Sequence, residues 1–178
     1  MNIFTLFFTV LFSFGTLLMM FRLGKVFVYA YLSAYIGFAL TMLFLMLDVA
    51  GFPLAFMEIA YATWFLTTDM FAEHYGAREA RRLIFVTTLL LGIIFILSQL
   101  ILLLSPHVSD FTATHLVALF VPLRRIIIAG VVVFLLEQLF DVWLFEKICR
   151  RTEGKMLWLR NCGSTMTTQA FDVLIFYP

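Results

Sequence analysis

Five apolar runs constrain this chain more than any other feature: Ile3–Phe21, Val26–Leu47, Phe52–Thr68, Leu83–Leu104 and Ile126–Phe145. A bilayer crossing needs about 20 apolar residues in a helix, and each run is close to that length. No water is present there to satisfy backbone groups, so a lipid-spanning segment must be a helix or part of a closed barrel. The period-two alternation of a barrel strand is missing. The fold class that follows is all-α, a polytopic membrane helix bundle with about six transmembrane helices. Composition agrees: 63% of residues are hydrophobic and 13% charged, where soluble domains carry about 25% charged residues. A water-soluble globule, a disordered chain and a direct nucleic-acid binder are excluded. The whole chain, 1–178, is expected to form a single integral membrane domain.

Between the fourth and fifth runs, Ser109 and Asp110 can cap a short apolar helix over Phe111–Val121, closed by Pro122. It is too short to cross and is expected to lie at the interface or re-enter the membrane. The final stretch, Ser164–Pro178, reads as a partial sixth helix rising about 22 Å, short of the hydrocarbon core, so the chain is expected to stop early within that helix.

Basic residues orient the bundle. Arg22 and Lys25 follow the first run, Arg78, Arg81 and Arg82 the third, and Lys147, Arg150, Arg151, Lys155 and Arg160 the fifth. Ten of the twelve Lys and Arg thus fall on one side, and only Arg124 and Arg125 on the other. The expected topology is an outside N-terminus in a plasma or inner membrane. Cys149 and Cys162 are neither a disulfide framework nor a metal pair, and the three histidines lack ligand spacing. No cofactor, metal site or nucleophile motif is expected, and the chain is not read as an enzyme.

Four carboxylates stand inside apolar runs: Glu58, Glu137, Asp141 and Asp172. A central Asp costs about 2.5–3.5 kcal/mol to insert, so these side chains must face protein or water. Gln138 and Asp141 are three apart, as are Gln169 and Asp172, and each pair shares a helix face. The flanking residues nearly repeat, Gln138-Leu-Phe-Asp-Val-Trp-Leu-Phe beside Gln169-Ala-Phe-Asp-Val-Leu-Ile-Phe. Two readings stand open on the residues alone. The carboxylates either pair with Arg81, Arg125 or Arg160 and lock the bundle, as in a structural membrane subunit, or they line a polar pocket for a small molecule.

Further motifs carry a resemblance. Asp69-Met-Phe-Ala-Glu73-His-Tyr75-Gly76 with Ala80-Arg81-Arg82, Pro106 and Asp110, Arg125, Gln138-x-x-Asp141, Leu157-Trp158-Leu159-Arg160-Asn161, and Ser164-Thr165 with Gln169-x-x-Asp172 occur in order over Phe65–Phe176. Together they resemble the queuosine precursor transporter family, also called the vitamin uptake transporter family. The resemblance implies a fold similar to the substrate-binding subunits of energy-coupling-factor transporters, and import of 7-cyano-7-deazaguanine, its aminomethyl relative or queuine for tRNA modification. It also leaves room for another vitamin-like cargo, and for an ATP-driven coupling module as partner. Gly130, Phe134, Glu137 and Thr168 stand where the resemblance would place Ser, Tyr, Ser and Ser, and relatives continue beyond the helix after Asp172.

A deazaguanine presents N–H donors at N1 and N2 and an acceptor at O6, which suit carboxylates and amides. Asp141 and Asp172 are therefore expected as base-edge acceptors, Gln138 and Gln169 as orienting residues, and Arg160 and Asn161 as O6 or helix-mouth partners. Asp69 and Glu73 are expected to pair with Arg81 and brace the cytoplasmic mouth, with Arg125 as a further structural or gating residue.

Overall fold

The computed structural model of the chain describes residues 2–107, 110–153 and 155–176. Among them are α1 (Asn2–Leu23), α2 (Lys25–Thr41), β1 (Met46–Val49), β2 (Phe52–Ala55), α3 (Phe56–Tyr75), α4 (Ala77–Ile101), α5 (Ala113–Arg151) and α6 (Leu157–Phe176). The class is all-α, a membrane helix bundle. Over Ile3–Leu23 and Ala77–Ile101, α1 and α4 are long and apolar enough to cross a bilayer, with mean hydropathies of 2.1 and 2.5. Their exposed side chains, Phe4, Phe8 and Phe12 on α1 and Phe85, Ile96 and Leu100 on α4, are those a lipid environment solvates.

The chain divides into two compact units. The first comprises Met1–Thr63 and Thr87–Val131. Here α1 packs on α2, with Leu17, Val28, Leu32 and Ile36 buried. A polar cluster ties these helices to the start of α3. Tyr31 donates to the Ser13 carbonyl at 2.9 Å, and the Tyr35 hydroxyl meets Ser13 Oγ at 3.3 Å and Thr63 Oγ1 at 3.4 Å. Serine 13 and Thr16 are three apart and Tyr31 and Tyr35 four apart, which is the signal for a shared face; sequence reasoning passed over it.

The segment after α2 departs from expectation. Instead of helix through Leu47, β1 and β2 form an antiparallel hairpin with Val49 opposite Phe52 and Asp48 opposite Pro53. Its two-residue turn, Ala50-Gly51, has φ of 56° and 85°, the positive pair that a type I′ turn requires. Asp48 Oδ1 accepts the Gly51 N–H at 2.9 Å. Pro53 occupies the position next to the turn-closing pair, where an antiparallel ladder asks for no N–H donor.

Helix α5 replaces two expected pieces. The separate helix over Phe111–Val121 and the fifth span are one helix of 39 residues, with Pro122 inside it. An internal proline costs about 3 kcal/mol through its missing N–H and its clash with the preceding turn. Side chains support this turn from α4: Gln99 Nε2 donates to the Phe120 carbonyl at 3.1 Å, and Arg124 Nε donates to Gln99 Oε1 at 2.5 Å. Ahead of α5, Asp110 Oδ1 accepts both the backbone N–H and the hydroxyl of Thr112, while Ser109 lies outside the described residues.

The second unit comprises Trp64–Val86 and Val132–Pro178. Ala72, Ala80, Ile84, Val142 and Phe145 form its apolar core. Between α3 and α4 the single residue Gly76 takes φ of 89°, a conformation in which any side chain is strained. Helix α6 starts at Leu157 rather than the expected Ser164. Its 20 residues rise about 30 Å, a full hydrocarbon thickness.

Candidate functional site

Three helical rows within the second unit converge. On α3 the row is Trp64, Thr68, Asp69 and Glu73; on α5 it is Phe134, Gln138, Asp141 and Phe145; on α6 it is Arg160, Ser164, Thr165 and Thr168. Steps of four, three and four residues keep the α5 row on one face. Asp69, Gln138, Asp141, Ser164 and Thr168 are all buried, the last four except Asp69 completely.

Hydrogen bonds join the rows. Thr165 Oγ1 donates to Asp69 Oδ2 and Thr168 Oγ1 to Asp141 Oδ1, both at 3.4 Å. Thr165 and Thr168 are three apart on α6, so the two carboxyls meet the same face of that helix. Also on α6, the Ser164 hydroxyl donates to the Asn161 carbonyl at 3.3 Å. Above them the Trp64 and Phe134 rings meet edge to face, with centroids 4.3 Å apart.

What distinguishes this cluster from an ordinary polar core is how much of it lacks a protein partner. Among the described residues, Asp69 Oδ1, Asp141 Oδ2, both ends of the Gln138 amide, Trp64 Nε1 and Asn161 Oδ1 are buried without one. Buried polar groups are otherwise hydrogen-bonded in more than about 90% of cases. The unpartnered set contains acceptors, in the carboxylates and amide oxygens, and donors, in the Gln138 and Trp64 N–H groups. Such a set complements a ligand that carries both kinds of group on a flat apolar frame.

The other expected residues fall into place differently. Arg160 is buried, donates to Glu73 at 2.9 Å and to Cys149 Sγ at 2.8 Å, and lies over the Phe145 ring. Arg81 does not meet Asp69 or Glu73; it is exposed and paired with Glu146 at 2.5 Å. The reason is depth. Asp69 lies six residues, about 9 Å, before the end of α3 and points inward, whereas Arg81 stands on the exposed side of the first turns of α4. Asp69 thus meets Thr165 of α6 rather than Arg81. Glu58 sits exposed in the first turn of α3, where a helix N-terminus favours an anion.

Of the two Gln-x-x-Asp motifs, the α5 copy brings both members into the cluster. On α6, Gln169 is half-buried, and the Asp172 side chain, like that of Arg125, lies outside the described residues. Glu137 borders a cavity of about 200 Å³ with Val133, Leu136, Phe140, Thr168 and Phe171. That volume is below the roughly 300–1,000 Å³ of small-molecule pockets, and its walls are mostly carbon. Trp64, Trp143 and Trp158 were each suited by type to an interface belt or a stacking wall, and Trp64 is the one that meets Phe134; Ser164 and Thr168 were missed as wall residues, although their spacing of four along α6 was the available signal.

Residues 55–178, which include all of the second unit, match the family described as "Putative vitamin uptake transporter". The chain belongs to that family. Within the vitamin uptake transporter family, it is 34% identical over 131 residues to the "Probable queuosine precursor transporter" of Bacillus subtilis (strain 168), covering 72% of this chain and 57% of that one. It is 29% identical over 131 residues to the "Queuosine precursor transporter" of Escherichia coli (strain K12), covering 73% and 56%. The chain thus spans a little over half the length of these relatives. No solved structure matches it. The family is one of transporters rather than enzymes, and its membrane setting accords with the apolar helices.

Proposed function

We propose that the chain acts in import of a queuosine precursor, a 7-deazaguanine base, and that the base docks against Asp69, Gln138 and Asp141. The observation that carries this reading is the fully buried Gln138 amide, unpartnered at both ends, three residues from Asp141 on the same helix face. A deazaguanine edge supplies the missing complements: N–H groups at N1 and N2 for carboxylate oxygens, and O6 for an amide N–H. The Trp64 and Phe134 rings, 4.3 Å apart, supply an aromatic wall for the heterocycle, and stacking of a base on an aromatic side chain is worth about 1–3 kcal/mol. The names of the two relatives support the same class of cargo.

The reading includes a multi-pass topology with the N-terminus outside, since ten of twelve basic residues lie on one side. It leaves Arg160 as a brace for the start of α6, tied to Glu73, rather than a direct ligand. An ATP-driven partner would dock on the basic segment from Lys147 to Arg160. The test is binding and uptake of 7-cyano-7-deazaguanine. The purified chain should gain thermal stability with the base and not with adenine, and Asp141→Asn should lower affinity about tenfold or more, the worth of a charge-assisted hydrogen bond of about 1.5–3 kcal/mol. Equal stabilisation by both bases, or an unchanged affinity in Asp141→Asn, refutes the reading.

A further inference from the structure

Two helices of the second unit pass from apolar run to charge at one level. Arg81 stands two residues before the run Leu83–Leu104 on α4, and Lys147 two residues after the run Ile126–Phe145 on α5. Glu146 joins the helices there. It accepts from Arg81 of α4 at 2.5 Å and from Arg150, one turn further along α5, at 2.6 Å. A guanidinium has five N–H donors, so one carboxylate occupies only part of each. Both arginine side chains stay open to a ligand, at 45% and 77% exposure. Lys147 is exposed as well, and its Nζ lies 4.4 Å from the centre of the Trp143 ring. Among the described residues no carboxylate pairs with it. Three cations thus share one acid, and the surplus is positive.

Aromatic rings mark the depth of this patch. Phe85 follows Arg81 by four residues and Trp143 precedes Lys147 by four, so each helix carries a ring one turn inside its apolar run, on the face of the cation. Both rings are exposed, and Phe140 stacks on Trp143 with centroids 5.7 Å apart. A ring of this kind suits the boundary between acyl chains and headgroups, while the long cationic side chain beside it reaches the polar side. A soluble partner at the helix ends would meet the cations and leave the rings uncovered. We propose that Arg81, Lys147 and Arg150 bind the headgroup of an anionic phospholipid, whose acyl chains lie against Phe85 and Trp143. Glu146 holds the two arginines in place beforehand, so less side-chain freedom is lost on binding. The site lies on residues outside the candidate cargo site and does not depend on the deazaguanine reading.

The experiment is fluorescence quenching in phosphatidylcholine vesicles that contain an increasing fraction of brominated phosphatidylglycerol or, in parallel, of brominated phosphatidylcholine. In a chain carrying Trp158→Phe, the exposed indole is that of Trp143, since Trp64 is buried. The anionic lipid should quench it at a fraction about 25-fold lower than the neutral one, from about fivefold for each of two surplus positive charges near an anionic headgroup. Lys147→Gln should cut this preference about fivefold, and Lys147→Arg should keep it. Lys155→Gln removes the same charge from an exposed residue that is paired with Glu153, and should leave the preference unchanged. Equal quenching by the two lipids overturns the proposal. So does a loss as large in Lys155→Gln as in Lys147→Gln, which would show diffuse attraction to the surface instead of a site. Equal quenching together with a transport defect of Lys147→Gln in cells would give the patch to a protein partner and overturns it too.

Discussion

Replacing Gln138 by leucine should make the protein more stable and less able to bind. Gln138 is completely buried, and neither end of its amide has a protein partner. Leaving buried polar atoms unsatisfied costs about 1–3 kcal/mol on protein mutational data. Leucine has a similar volume and no polar atom, so Gln138→Leu should recover about that amount. For a chain of this size each kcal/mol moves the unfolding midpoint by about 2–4 °C, which predicts a rise of about 2–12 °C without ligand. The same change removes about two hydrogen bonds to a docked base, each worth about 0.5–1.5 kcal/mol, and should weaken binding about 5- to 150-fold. Thermal unfolding of both forms, with and without 7-cyano-7-deazaguanine, reads both effects at once. The wild type should gain about 2.7 kcal/mol at a hundred times its Kd and the variant, binding more weakly, only about 0.3–1.8 kcal/mol, so ligand should close most of the gap between them. A lower midpoint for Gln138→Leu without ligand, together with unchanged base binding, would show that the amide serves the fold and would refute the reasoning.

Three further outcomes follow. Gly76→Ala should destabilise the protein by about 1–2 kcal/mol, the cost of a side chain in the left-handed region, since φ there is 89°; thermal unfolding measures it. Glu146, past the end of the apolar run, is held below its ordinary carboxylate range chiefly by the hydrogen bond from Arg150, which together with the charges of Arg150 and Arg81 outweighs the opposing effect of desolvation. Its stabilising contribution is therefore present above the ordinary value of 4.5 and lost as pH falls through the depressed folded value, so the stability difference between wild type and Glu146→Gln should shrink on acidification from pH about 6 to about 3. Lys155 is exposed between α5 and α6; with the orientation proposed above, Lys155→Cys in a chain carrying Cys149→Ser and Cys162→Ser should be labelled by a membrane-impermeant thiol reagent in inverted vesicles and not in intact cells.

The helices were legible because a long apolar run in lipid has one backbone solution. The Gln138-x-x-Asp141 face was legible for the same geometric reason, since three residues apart on a helix means one side. Three features were not. Pro122 reads locally as a stop, and only the reach of Gln99 to the Phe120 carbonyl, 21 positions away, shows that the turn is supported from outside. The start of α6 was obscured by Arg160, Asn161 and Gly163, which look like loop until Arg160 is seen bonded to Glu73, 87 positions back. Asp69 was placed at a mouth with Arg81 because they are close in sequence; the structure gives it Thr165, 96 positions away. Each miss is a tertiary contact overriding a local signal.

The second unit is assembled from two stretches of chain, Trp64–Val86 and Val132–Pro178, with 45 residues between them. A ribosome delivers those stretches in order, so α3 enters the membrane with Asp69 before Thr165, Asp141 or Gln138 has been made. Nascent α3 must therefore carry that carboxyl unaccompanied through a large part of synthesis. Closure of the unit awaits the arrival of α6, a late, long-range event of the kind that makes folding slow. Mutations in α6 should accordingly act as much on how much protein matures in the membrane as on what the mature protein does.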